Sequence, residues 1–145
     1  MYYCPVIREA WWIWFSICNI IDARNSSDIY SCVNIAREVG LDIRDMLRRI
    51  VVSRPFTIYQ LANLVIKELP EVARKFDAKV IIIPDMLVRV GKARPLIKHI
   101  TNSLRIFDDV SIIVSLSRIP PEYRMILPTF DKRVQINDDG SIAEN

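Results

Sequence analysis

The chain has 145 residues, 51% of them hydrophobic and 26% charged, with a net charge of +3 at pH 7. That size and apolar content exclude a disordered tail, a low-complexity or collagenous chain and a miniature scaffold held by disulfides, and they predict a single domain over residues 1–145. Three cysteines (Cys4, Cys18, Cys32) and one histidine (His99) form neither a C-x-x-C pair nor a zinc set, so reduced thiols in a cytoplasmic protein, without metal or cofactor, are the expectation.

The apolar run from Ala10 to Ile21 is interrupted by Ser16 and Asn19 and is too short for a membrane span; Pro5, Arg8 and Glu9 ahead of it do not suit a signal peptide. No membrane partner is expected. Trp12 to Ile21 instead reads as a strand buried on both faces and ending at Asp22. Ser27 or Asp28 then caps a helix with Ile29, Cys32, Val33, Ile35, Ala36 and Val39 on one side, closed by Gly40. A short helix follows Asp42, and Ile50-Val51-Val52 forms a strand broken at Arg54-Pro55.

Thr57 and Gln60 have capping-box spacing ahead of a helix carrying Leu61, Leu64, Val65 and Leu69, running to about Phe76 with a bend near Pro70. Lys79 to Pro84 is a buried strand ending on Asp85, and Val110 to Leu116 is another, with a helix bearing Leu96, Ile97, Ile100, Leu104 and Phe107 between them. A Pro-rich loop, Ile119 to Thr129, leads to a terminal hairpin turning at Asp138-Asp139-Gly140. Strands alternating with helices predict an α/β domain with a mostly parallel sheet flanked by helices. In such sheets the functional loops lie beyond the carboxyl ends of the strands, so the segments after Asp22, Asp85 and Leu116 are expected to share one rim.

Several of these segments match a known family in order and spacing. Ile20-Ile21-Asp22-Ala23-Arg24-Asn25, then Ile35 to Asp42 with its Gly40-Leu41-Asp42 turn, Met46 to Ile50 and Val52-Ser53-Arg54-Pro55-Phe56 resemble RecA-fold recombinases of the archaeal RadA branch. Val80 to Asp85 is similar to that family's Walker B strand, and Val110 to Ser117 to the strand after it. The likeness covers about Ile20 to Leu116 and implies a RecA-like fold and a place in DNA recombination or repair.

The departures from the family pattern bear directly on activity. A phosphate cradle needs G-x-x-x-x-G-K-[ST], and the three glycines, Gly40, Gly91 and Gly140, cannot build one, so the Walker A segment is lacking. Where the family's water-orienting carboxylate falls in a D-T-E strand end, this chain reads Asp22-Ala23-Arg24. A cation replaces the base. The family's phosphate-sensing glutamine would fall near Ser117-Arg118, and none is present. Asp22, Arg24 and Asp85 are then vestigial nucleotide-site positions in a degenerate paralogue without ATP hydrolysis.

Arg supplies 14 of the 20 basic residues, and its planar fork suits phosphate. Arg89, Lys92 and Arg94 fall where the family's first DNA-binding loop would lie and Arg118 and Arg124 where its second would, so these five are the candidate nucleic-acid contacts; scattered surface arginines that only solubilise the domain are the alternative. Tyr123 either stacks on a base or pins its loop. Tyr2, Tyr3 and Trp11 are candidate interface residues for a homodimer or a RecA-family partner, since a sheet lacking the P-loop strand leaves apolar surface open. The rival readings are enzymatic: a nuclease binding metal through Asp22 and Asp85, although aspartates at strand ends also cap loops, or part of an ATPase whose P-loop lies outside this chain.

Overall fold

The computed structural model describes residues 17–25, 27–87, 93–137 and 139–144, and shows an α/β architecture in which a parallel sheet is flanked by helices. Four strands, β1 (Ile17–Ile21), β2 (Ile50–Ser53), β3 (Ala78–Ile83) and β4 (Ser111–Val114), are ordered β2-β1-β3-β4, and every pairing is parallel. The part of the expected first strand before Ile17 lies outside the described residues, as do Tyr2, Tyr3 and Trp11.

Between β1 and β2 the chain forms α1 (Ile29–Glu38) and α2 (Ile43–Arg48). Asp28 caps α1, its carboxylate accepting from the Tyr30 and Ser31 amides at 2.9 and 3.3 Å. At the other end Gly40, at φ +74°, takes the left-handed turn that lets its own amide reach the Arg37 carbonyl and the Leu41 amide reach that of Ala36. The apolar side of α1 is only partly covered: Ala36 is buried and Cys32 and Val33 are half-buried, while Ile29, Ile35 and Val39 are exposed.

The crossover from β2 to β3 carries α3 (Ile58–Asn63) and α4 (Leu69–Lys75), and α5 (Arg94–Leu104) joins β3 to β4. The Thr57–Gln60 capping box forms as the spacing requires. Before Pro70 its helix widens through a π-helical stretch, Leu64–Glu68, in which the Leu69 amide reaches back to the Leu64 carbonyl. Proline has no N–H to offer the Ile66 carbonyl and its ring would collide with that oxygen, so one wider turn relieves the clash at its source.

α1 packs on α2 and α2 on β2, while α3 to α5 pack with the sheet in the core, where Ile21, Ile81 and Ile83 from the strands meet Ile58, Leu61, Val65, Leu69, Ile97 and Ile100 from the helices. The Pro-rich loop expected after β4 is in fact 3-10 helical over Pro121–Thr129, a geometry that tolerates Pro128, and it adds buried Tyr123 and Ile126 to that core. Phe107, expected on the last stripe of α5, lies past the end of that helix and packs against the core from there. β5 (Val134–Ile136) and β6 (Ile142–Glu144) form the expected antiparallel hairpin, separate from the main sheet. Among the described residues no helix is long and apolar enough to cross a membrane.

Candidate functional site

The carboxyl ends of β1, β2, β3 and β4 all open onto one rim, because the four strands are parallel. Asp22 follows β1 and Asp85 follows β3 by two residues, so parallel pairing alone brings these two carboxylates to the same end of the sheet. The chain turns sharply at each: the Asp22 amide donates to the Ser53 carbonyl at 2.8 Å, and Asp85 sits at φ +48°, a left-handed conformation that aspartate and asparagine enter more readily than other side chains.

Asp85 is held from several sides. Its Oδ1 accepts from the Ser117 hydroxyl at 2.7 Å and the Ser117 amide at 3.1 Å, while Oδ2 accepts from Arg24 Nη1 at 2.6 Å. The Asp85 amide donates to the Ser115 hydroxyl at 2.9 Å, so two serines just beyond β4 hold both the backbone and the side chain of the turn. Burial pushes the Asp85 carboxyl up, but the Ser117 hydroxyl, the Ser117 amide and the Arg24 guanidinium together outweigh it and hold the group below the usual carboxylate range.

Asp22 is fully buried. Its Oδ2 accepts the Ser27 amide at 2.9 Å and lies 3.7 Å from Arg54 Nε, within ion-pairing distance. Each of the two rim carboxylates therefore faces a guanidinium, and both arginine side chains are about half exposed, at 53% for Arg24 and 52% for Arg54. Among the described residues, no group of three or more histidine, cysteine, aspartate or glutamate side chains is arranged to hold a metal ion.

The structure brings Asp22, Arg24 and Asp85 to one rim, and it puts exposed Arg118 there too, next in the chain after Ser117. Arg124 is exposed on the 3-10 segment. Arg94 begins α5, although its side chain, like all of Arg89 and Lys92, lies outside the described residues. Tyr123 is 4% exposed and its amide donates to the Pro120 carbonyl, so it pins its loop and presents no face for a base. His99 is exposed on α5.

Sequence reasoning missed Arg54, Ser27, Ser115 and Ser117 as members of this cluster. The signal for the serines was present in the alternation of Ser111, Ser115 and Ser117 along an otherwise apolar run, since hydroxyls at a strand end are placed to satisfy a turn on the neighbouring strand. Beside the rim, Arg54, Pro55, Phe56, Tyr59, Gln60, Asn63, Leu64 and Glu68 line an open cleft of about 490 Å³. The chain matches no protein-family model and no curated protein.

Proposed function

We propose that this chain is a degenerate RecA-like paralogue, without nucleotide hydrolysis, that acts as an accessory subunit in DNA recombination or repair by binding DNA and protein. The observation that carries the reading is the Arg24–Asp85 pair at 2.6 Å. In the family that the sequence resembles, the carboxylate at the Asp85 position serves a nucleotide-bound metal and the position of Arg24 supplies a water-orienting acid. Here the two positions neutralise each other. A cation donating into Asp85, with Ser117 on its other oxygen, leaves a rim suited to electrostatic binding and poorly suited to holding magnesium.

The same geometry weighs against both enzymatic alternatives. A nuclease metal would have to displace a guanidinium from beside each of Asp22 and Asp85, and a P-loop supplied by another chain would still meet an arginine where hydrolysis needs an acid. Arg118, exposed at the same end, and Arg124, exposed on the 3-10 segment, suit phosphate contacts that carry no sequence information. For protein partners, the outer edge of β4 is unpaired among the described residues and bears Ile113 at 53% exposure, the kind of edge a second copy or a RecA-family protein would cover.

The test is paired. Purified protein given magnesium and ATP should release no phosphate above a blank, and turnover that co-purifies with the protein would overturn the non-catalytic reading. The same preparation should bind DNA with an affinity that falls as salt rises, and the Arg118→Ala/Arg124→Ala variant should show a log–log salt slope flatter by about 0.7 for each single-strand phosphate that the variant no longer neutralises. Failure of the parent protein to bind DNA at low salt would leave a protein-interaction subunit as the correct description.

A further inference from the structure

We infer that the free edge of β4 is a self-association surface, at which two copies of the chain join by antiparallel pairing of β4 with β4 about a two-fold axis at Ile113. This deepens the reading of that edge as a protein-binding surface and commits it to one occupant, a second copy. The starting point is where the backbone groups point. One residue past β4, the Ser115 amide donates to the Ile83 carbonyl at 3.2 Å and the Ser115 carbonyl accepts from the Met86 amide at 3.3 Å, so the backbone of Ser115 faces β3. Backbone groups alternate sides along a strand. Ser111 and Ile113 therefore face β3 as well, while Ile112 and Val114 turn their N–H and C=O groups outward, where among the described residues no strand meets them.

The strand itself carries none of the features that guard an edge. Ser111-Ile112-Ile113-Val114 has no charge and no proline, and it pairs with β3 in unbroken register. Its side chains divide by face: Ile112 and Val114 pack against the core, whereas Ile113 points to the opposite face and is 53% exposed. Antiparallel pairing needs outward-facing residues to stand opposite one another, and matching Ile112 of each copy with Val114 of the other uses all of those backbone groups. That register sets Ile113 opposite Ile113 on the axis, at the closer, non-hydrogen-bonded spacing, and Ser111 opposite Ser115. The two exposed isoleucines then cover each other. The Ser115 hydroxyl, which accepts from the Asp85 amide at 2.9 Å, keeps its own hydrogen to donate across to Ser111.

Charge selects a second copy as the occupant. Asp108 and Asp109 precede β4 and Arg118 follows it, all three exposed. Asp109 feels the charge of Lys79, but Lys79 is bonded to Asp77 at 2.7 Å, and among the described residues neither Asp108 nor Arg118 is in a salt bridge. The register that matches Ile112 with Val114 carries Asp108 of each copy to the end where Arg118 of the other stands, so opposite charges meet at both ends of the pairing. A parallel arrangement would set acid against acid. The other edge strand, β2, is as apolar as β4, but Arg48 and Arg49 precede it and Arg54 follows it, so self-pairing there would bring arginines together. The sequence thus makes one edge self-complementary and the other self-repelling, which is what a closed two-fold dimer through β4 requires.

Sedimentation equilibrium of the full chain should show a reversible monomer–dimer equilibrium. Ile113→Lys, which sets like charges opposite each other on the axis, should weaken the dimer by about tenfold or more. Arg118→Asp should weaken it by about two- to thirtyfold, since the contact is made at both ends, and Asp108→Arg/Arg118→Asp, which exchanges the signs, should recover most of that loss. Register is read by cross-linking. Under air oxidation Ile113→Cys should give a disulfide-linked dimer, whereas Ser111→Cys, held apart from its own copy by this register, should give no more than the parent does with Cys4, Cys18 and Cys32. Circular dichroism confirms that each variant is folded, and the Ile113→Cys result does not depend on the lysine variant. A parent that stays monomeric, or an Ile113→Cys protein that gives no cross-link above the parent, overturns the inference. Failure of the exchanged pair to recover what Arg118→Asp loses would overturn the antiparallel register. A monomeric parent that still binds DNA would leave the accessory-subunit reading standing and return the β4 edge to a different protein partner.

Discussion

Replacing Asp85 with asparagine isolates the charge at the centre of the rim. Asparagine enters the left-handed region as readily as aspartate, so the φ of +48° is kept and the backbone adds no confounding strain. The amide oxygen still accepts the Ser117 hydroxyl and amide. At the other position, however, an NH2 group replaces the oxygen that receives Arg24 at 2.6 Å, and two donors face each other. A hydrogen bond to a charged partner contributes about 1.5–3 kcal/mol, but Arg24 is half exposed and can turn to water, which puts the net cost at about 1–2 kcal/mol. For a chain of this length that is a fall in melting temperature of about 3–8 °C.

The pH dependence supplies the sharper test. Asp85 has a folded-state pKa below its ordinary value, so its stabilisation is fully present above the unfolded pKa of about 4 and is lost as pH falls through the folded value. Parent and Asp85→Asn melting temperatures, followed by circular dichroism or calorimetry, should differ by a constant amount from neutral pH down to about 5, and the gap should then narrow in more acid buffer. A variant as stable as the parent at pH 7, or a gap that persists unchanged well below pH 4, would refute the claim that an ionised Asp85 organises the rim.

Three further outcomes follow from other parts of the molecule. Asn19 is 3% exposed in the central strand, level with Val51 and Ile81, and its amide nitrogen has no hydrogen-bond partner; Asn19→Leu should raise stability by about 1–3 kcal/mol in chemical denaturation, and a loss of stability would mean that the amide is satisfied in solution. Thr57→Ala removes the hydroxyl that accepts the Gln60 amide at 3.1 Å and should cost about 0.5–2 kcal/mol, whereas an unchanged denaturation midpoint would show that the cap contributes nothing. Burial, with a smaller effect from neighbouring Cys32, pushes the Cys18 thiol up to about 11, so at pH 8 iodoacetamide should modify Cys32 well before Cys18 by peptide mass spectrometry; the reverse order would contradict that environment.

What the sequence made legible was set locally. The cap of α1, which falls to Asp28 of the two candidates, the Gly40 turn, the short helix after Asp42 and the Thr57–Gln60 box each depend on residues within a few positions of one another, and each forms. The parallel sheet was readable for a similar reason, since apolar runs separated by helices leave few other ways to pair. Features decided by distant contacts were not readable. The exposure of Ile35 and Val39 depends on how little of α1 the rest of the fold covers, and the wide turn before Pro70 arises from a clash one turn away. At the rim, Asp85 was visible as a strand-ending acid and the serines stood out in their apolar run, but their pairing with Asp85, 30 and 32 residues apart, and that of Arg24, 61 residues back, are separations no local pattern encodes.

Under the reading proposed above, the arrangement at Asp85 turns on a single residue, Arg24. A hydrolytic site keeps its carboxylates short of partners, so that a metal or a water molecule completes them when substrate binds. Here three donors already converge on Asp85, the Ser117 hydroxyl and amide and the Arg24 guanidinium, the last of them from just beyond the end of β1. On the proposed reading, the guanidinium stands where the family has its acid and at the same time occupies the second carboxylate. Because its side chain remains 53% exposed, part of its positive field still reaches solvent. The accessory-subunit reading proposed above predicts that Arg24→Glu would weaken DNA binding without restoring hydrolysis, since the sequence contains no G-x-x-x-x-G-K-[ST] cradle. ATP turnover by the Arg24→Glu protein would show that the loss of activity was carried by this one residue and would overturn that account.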